Sequence, residues 1–253
     1  MARQDGIIKV TGQMGGISFY RSKDGYLMRQ KSSVSGDRIK NDPAFSRTRE
    51  NLAEFGRAGS ANKLLRTAFR TLIMNVADGR MTNRLSQYMM RVVQADVTHA
   101  RGERTVIDGE PELLIGFEFN ENGHLDKSLL APYSWTINRV TGVSTITIPE
   151  FISANLIAVP QGSTHFKLVA GCAAIDFGAG TYTNGYADSG DHKIDTVPTA
   201  SQVLTINLPP NSAQPMFLAF GIVFTQEVNG TNYPLRNGTF NALALVGVNG
   251  AES

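Results

Sequence analysis

At 253 residues, with 42% hydrophobic and 18% charged residues, the chain has the make-up of a globular protein with room for a generous core, which excludes wholesale disorder. The net charge is only +2, and the single cysteine, Cys172, excludes an intrachain disulfide and argues against a cysteine-based zinc site. No stretch approaches the ~20 apolar residues of a membrane span, and no apolar run follows the first basic residue, so a secretory signal is not expected. The cytoplasm, or a particle assembled there, is the expected location.

Residues 6–31, GIIKVTGQMGGISFYRSKDGYLMRQK, read as three short strands. Ile17 and Phe19 alternate with Ser18 and Tyr20, SKDG supplies a glycine-containing hairpin turn, and YLMRQK returns with Arg29 and Lys31 on one side. So short a meander buries little by itself, and a packing partner is expected. Turn formers in SSVSGDRIKND then break the pattern. Asp42 is a good N-cap and Pro43 suits a first helical position; Phe45, Thr48, Leu52 and Phe55 fall on one face, and Gly56 reads as the stop. A second helix is expected from Ser60 to Ala77, with Leu64, Leu65, Ala68, Phe69, Leu72, Ile73 and Val76 on a wide apolar face. A third is expected from Thr82 to His99 on Leu85, Tyr88, Met89, Val92 and Val93.

Beyond residue 104 the period becomes two. ELLIGFEF, YSWTINR, VSTITI, HFKLVAG, AAIDF, QVLTINL, MFLAFGIVFTQEV, TNYPL and FNALALVGV read as strands of an antiparallel sandwich or barrel. Asn-Gly pairs at Asn122, Asn184, Asn229, Asn237 and Asn249 favour tight turns, Pro234 pushes its short strand to an edge, and PEFISANLIAVP is a helical turn or an extended crossing. The fold class expected is therefore α+β: an N-terminal β-meander or arm (1–42), a basic helical segment (43–104) and an acidic β-sandwich (105–253).

The small net charge hides an asymmetry. Residues 1–104 hold 19 Lys and Arg against 9 Asp and Glu, a balance of +10, whereas residues 105–253 hold 5 against 13, a balance of −8. Such a split suits either an external polyanion or two surfaces that meet each other, within a chain or between copies. The basic residues are mostly Arg, which favours forked contacts to phosphate or carboxylate, and Lys63, Arg66 and Arg70 share a helix face. No aromatic residues interleave with them as a stacking platform requires, and no helix-turn-helix or zinc-finger pattern occurs. Glu50 and Glu54 would also repel a phosphate backbone.

Catalytic signatures are lacking. His99, His124, His165 and His192 lie apart from any second His or Cys at metal-ligand spacing, and no Gly-x-Ser-x-Gly, Walker or His-Glu-x-x-His pattern occurs. TGQMGG lacks the lysine and strand-to-helix context of a phosphate loop. DSGDHKID gathers Asp188, Asp191, His192 and Asp195, but not at EF-hand spacing, and reads as a solvated loop. No cofactor, no metal and no enzymatic activity are expected.

The blocks GIIKVTGQMGGISFYRSKDGYLMRQK, RIKNDPAFSRTRENLAEFGRAG, ARGERTVIDGEPELLIGFEF and FTQEVNGTNYPLRNGTFNALALV resemble an uncharacterised protein family associated with Bacteroidota genomes. The likeness covers nearly the whole chain; it implies a natural unit and carries no activity with it. The role expected is a non-enzymatic structural subunit that self-assembles into a ring, tube, filament or shell, with Tyr20, Tyr26, Arg29, Arg47, Arg49, Arg66 and Arg70 as contact residues. Phage tail-tube subunits offer a fold-level analogy. The alternative is a nucleic-acid-binding protein using the basic half. A carbohydrate-binding sandwich is a third reading, disfavoured by the single Trp135.

Overall fold

The computed structural model describes residues 2–22, 25–30, 34–76 and 78–250, together with the backbone but not the side chains of 236 and 237. The chain divides into two compact units, Met1–Glu50 and Asn51–Ser253.

The first unit contains an antiparallel sheet of β1 (Ala2–Arg3), β2 (Gly12–Met14), β3 (Ile17–Ser22) and β4 (Gly25–Gln30), in the order β1-β4-β3-β2. The expected turn at Lys23-Asp24, and Lys31 at the end of its strand, lie outside the described residues. After the sheet, the segment read as a plain break instead forms a short helix, α1 (Gly36–Asn41), because Ser35 caps it by accepting from the Arg38 N–H. Asp42 caps as expected, accepting from the Ala44 N–H, and Pro43 opens a 3-10 turn, Pro43–Phe45, that runs into the next helix.

That helix, α2 (Ser46–Ala68), does not stop at Gly56. Two expected helices are one, because Ala58, Ala61, Leu65 and Ala68 beyond the glycine are buried on a common face, and this burial outweighs the ~1 kcal/mol that an exposed helical glycine costs. Phe69 then leaves helical geometry, at φ −103° and ψ 16°, before α3 (Arg70–Ile73); the expected end at Ala77 lies outside the described residues. The third expected helix, α4 (Met81–Gln94), ends five residues early. There the Asp96 carboxylate takes over the chain, accepting from the N–H groups of Thr98, His99 and Thr105.

The remaining elements of the second unit are α5 (Leu125–Ser128), β5 (Ser134–Asn138), β6 (Val143–Ile148), β7 (Phe151–Ile152), α6 (Ser153–Leu156), β8 (His165–Asp176), β9 (Thr181–Asp188), β10 (His192–Lys193), β11 (Pro198–Thr199), β12 (Gln202–Asn207), β13 (Met216–Val228), β14 (Thr231–Pro234) and β15 (Ala242–Asn249). Strands β9, β10, β8, β13, β14 and β15 form one curled sheet in which β8 pairs with β13 along ten residues. Strands β12, β6 and β5 form a second sheet, and both sheets are antiparallel. The fold is α+β, with a sandwich-like C-terminal part.

Side-chain alternation along β8 and β13 generates three layers. Phe166, Leu168, Ala170, Met216, Leu218, Phe220 and Phe224 point toward Ile146, Ile148, Leu204 and Ile206 of the smaller sheet. Val169, Ala173, Ile175, Phe217 and Ala219 point the other way, onto Leu65, Phe69, Leu85, Met89 and Val93 of the helices. The helical segment and the sandwich therefore share one core within this unit.

Several sequence expectations are corrected here. HFKLVAG and AAIDF are one strand, β8. ELLIGFEF is no regular strand but a 3-10 turn, Pro111–Leu114, followed by an isolated bridge from Glu118 to Ala244. Asn184-Gly185 is not a turn but the middle of β9, where the missing Cβ admits Ile206; the Asn184 side chain instead donates to the Ala68 carbonyl at 2.5 Å. Asn229-Gly230 does form the expected hairpin turn, with φ of 52° and 77°, and Pro234 sits on an edge strand. Among the described residues, no helix is long and apolar enough to cross a membrane.

Candidate self-association surface

In the first unit, cross-strand register sorts side chains onto two faces. Met14 lies opposite Ile17, and Phe19 opposite Met28, which in turn lies opposite Ala2, so one face carries a contiguous apolar set with Gln30 at one end and Tyr26 and Arg21 at the other. The other face carries Ser18, Tyr20, Leu27, Arg29, Gln13 and Arg3. Arg29 stands over the Tyr20 ring at 5.6 Å and Arg21 over the Tyr26 ring at 5.7 Å. The described residues of 2–50 include no buried side chain, and Met14 is 68% exposed. Ile7 and Ile8, in the loop before β2, are exposed almost completely.

Of the seven sequence-chosen contact residues, Tyr20 and Arg29 share a face, whereas Tyr26 is on the opposite one. Arg47 is exposed beside Glu50 at 3.2 Å. Arg49 is occupied internally, donating to the carbonyls of Ile39 and Asp42, both at 2.9 Å. In the second unit Arg66 donates to the Asn62 side chain at 2.9 Å, and Arg70 is exposed at the start of α3. The stripe read on α2 divides: Phe45 is half-buried under the Arg38 guanidinium, while Leu52 and Phe55, in the second unit, are 58% and 59% exposed. Sequence reasoning overlooked Met14 and Met28 as members of an apolar face; their alternation with Gln13 and Leu27 across a predicted hairpin was the available signal.

The basic helices are less available to a polyanion than their composition suggests. Arg57 donates to the carbonyls of Gly102 and Arg104, and Arg84 pairs with Asp78 and donates to the Glu118 carbonyl. These guanidiniums tie helices to loops.

No protein-family model, curated protein or solved structure matches the chain.

In the first unit the Ala44 N–H, and after it the Arg38 side chain, hold the Asp42 carboxyl below its ordinary value; other shifted groups lie in the second unit. Burial pushes the Asp96 carboxyl up, but the N–H groups of Thr105, His99 and Thr98 and the His99 ring outweigh it and hold the group at about 2. Burial pushes Glu118 up to about 7 against the Leu125 N–H that stabilises its charge, and pushes the Cys172 thiol up to about 11. In the acidic loop Asp188 accepts from the Gly190 N–H, Asp195 from the Val197 N–H and Asp191 from the Asn232 side chain, while His192 stacks on Phe166. Asp188 and Asp195 thus build local turns, while Asp191 and His192 tie the loop to β14 and β8. Among the described residues the fold assembles two other groupings of metal-ligating side chains: Asp96, His99 and Asp108, and Glu118, His124 and Asp126.

Proposed function

We propose that this protein is a non-enzymatic structural subunit that self-associates into a ring, tube, filament or shell through its N-terminal arm. The observation that carries this reading is a four-stranded sheet with an apolar face and no buried side chain among its described residues. Sheets of this size hold their shape by packing on something, and an exposed contiguous apolar face marks an interaction site. The occupant proposed is a second copy. Residues 1–50 carry 10 Lys and Arg against 5 Asp and Glu, and residues 105–253 carry a balance of −8, so the arm of one copy is electrostatically matched to the sandwich of another. Contacts between two different patches propagate, which is how rings and filaments arise.

The nucleic-acid reading is the weaker, because Arg49, Arg57, Arg66 and Arg84 bond within the chain. Light scattering coupled to size-exclusion chromatography, followed by negative-stain microscopy at low and high salt, separates the two. Assembly should grow with concentration and weaken with salt. A monodisperse monomer under every condition refutes the proposal, and a salt-sensitive gel shift with random oligonucleotides would favour the alternative.

A further inference from the structure

The loop that carries Glu118, His124 and Asp126 is held from several sides. Residues 116–119 run beside β15: the N–H groups of Gly116 and Phe119 donate to the Leu245 and Leu243 carbonyls, and the Leu245 N–H donates back to Phe117. Phe117 and Phe119 enter the core between the helices and the sheet, so Glu118, between them, is turned to the opposite side. The chain then reverses around Asn120, whose side-chain amide donates to the carbonyls of Thr239 and Asn241 at 3.0 and 2.7 Å. Gly123 packs so closely on the Asn241 carbonyl that no Cβ fits there. This reversal brings the Leu125 N–H to Glu118 Oε1 at 2.9 Å, and with it His124 and Asp126.

The ligand atoms of the three side chains lie within 4.8 Å of one another. The His124 ring makes no capping bond to α5. Glu118 Oε2 is enclosed and has no hydrogen-bond partner, an unusual position for a carboxylate oxygen. Of the two cations whose charge reaches Glu118, Arg84 and Lys127, Arg84 directs one nitrogen to the Glu118 backbone carbonyl and another to Asp78.

We propose that Glu118, His124 and Asp126 bind one divalent cation of the zinc class, with Glu118 Oε2 as the interior ligand. One imidazole nitrogen and two carboxylates form a borderline donor set that suits zinc, and the two carboxylates balance its charge. Ligand atoms ~2 Å from a shared centre stand ~3–4 Å apart, so the present spacing, within 4.8 Å, is close to that of a bound set. Burial, and after it the charges of Glu118 and Asp126, push the Tyr133 phenol up. The other grouping does not compete: both oxygens of Asp96 are taken by N–H donors from Thr98, His99 and Thr105 and by the His99 ring. The site is independent of the arm and of self-association.

The test uses the full chain, stripped with chelator and titrated with cobalt(II) as a spectroscopic probe, then with zinc as competitor. The expected result is one cobalt per chain with d–d absorption that zinc displaces. Glu118→Gln keeps the shape and the acceptor for Leu125 but should abolish uptake. His124→Ala and Asp126→Asn should each weaken it by at least ~100-fold, and His99→Ala should leave it unchanged. Circular dichroism confirms that each variant is folded. Absence of stoichiometric uptake, uptake indifferent to all three ligand variants, or uptake lost in His99→Ala would each overturn the proposal.

Discussion

Replacing Met14 and Ile17 together by serine should weaken self-association by about 30-fold. Met14 is 68% and Ile17 38% exposed, and the two lie opposite each other on the same sheet face, so together they hold about one full apolar side chain in water. Covering that surface in a contact is worth ~2 kcal/mol, which converts to a ~30-fold change in an association constant. Sedimentation velocity over a concentration series reads this as a shift of the assembly midpoint to ~30-fold higher concentration. Neither residue contributes to a buried core, so thermal unfolding of the second unit should be unchanged, which separates lost contact from lost fold. An unchanged midpoint, with the parent protein assembling, would refute the argument that this face is the contact.

Three further predictions concern the second unit. The Asp96 carboxyl, held at about 2 against an ordinary value near 4, contributes stability that is complete above pH ~4 and is lost as pH falls toward ~2; Asp96→Ala should cost ~3 kcal/mol at neutral pH in urea melts and flatten that acid limb. Arg139 is buried and donates to the carbonyls of Ser212 at 2.6 Å, Gln214 at 2.7 Å and Asn249 at 3.1 Å, so Arg139→Met should lower stability by ~3 kcal/mol, measured in the same way. Because burial pushes the Cys172 thiol up to about 11, thiol reagents at pH 8 should label it only after denaturant unfolds the chain; rapid labelling of the native protein would contradict its place in the core.

Periodicity made the layers legible: the apolar faces on Leu65, Phe69, Leu85 and Met89 and the alternation in β13 are the faces that form the core. Boundaries misled where a local signal met tertiary burial. Gly56 is a plausible stop in isolation, yet the buried alanines after it carry α2 onward, and Asn184-Gly185 is a plausible turn until Ile206 requires the space above the glycine. The cluster at Glu118 was invisible for another reason. Its carboxylate stands six residues from His124 without any helical repeat, and only the reversal fixed by Asn120 and Gly123 unites them. The arm's apolar face was half-read: attention to tyrosine and arginine selected mainly the polar side of a sheet whose exposed methionine is on the other.

The two faces of β8 and β13 are both buried, so polarity cannot tell the chain which way each strand should face. Volume can. Phe166, Leu168, Phe220 and Phe224 crowd one side, whereas on the other Val169, Ile175 and Phe217 are interspersed with Gly171, Ala173, Ala219 and Gly221, and Tyr186 and Leu72 press against Gly171. A slip of one residue would put larger side chains where Gly171 and Gly221 now leave room and smaller ones where Phe220 and Phe224 now pack, incurring overpacking and cavity penalties at once. Strand register here is written partly in side-chain size: a Cβ on Gly171 would meet Tyr186 and Leu72 at under 3 Å, and one on Gly221 would meet the Ala242 carbonyl oxygen.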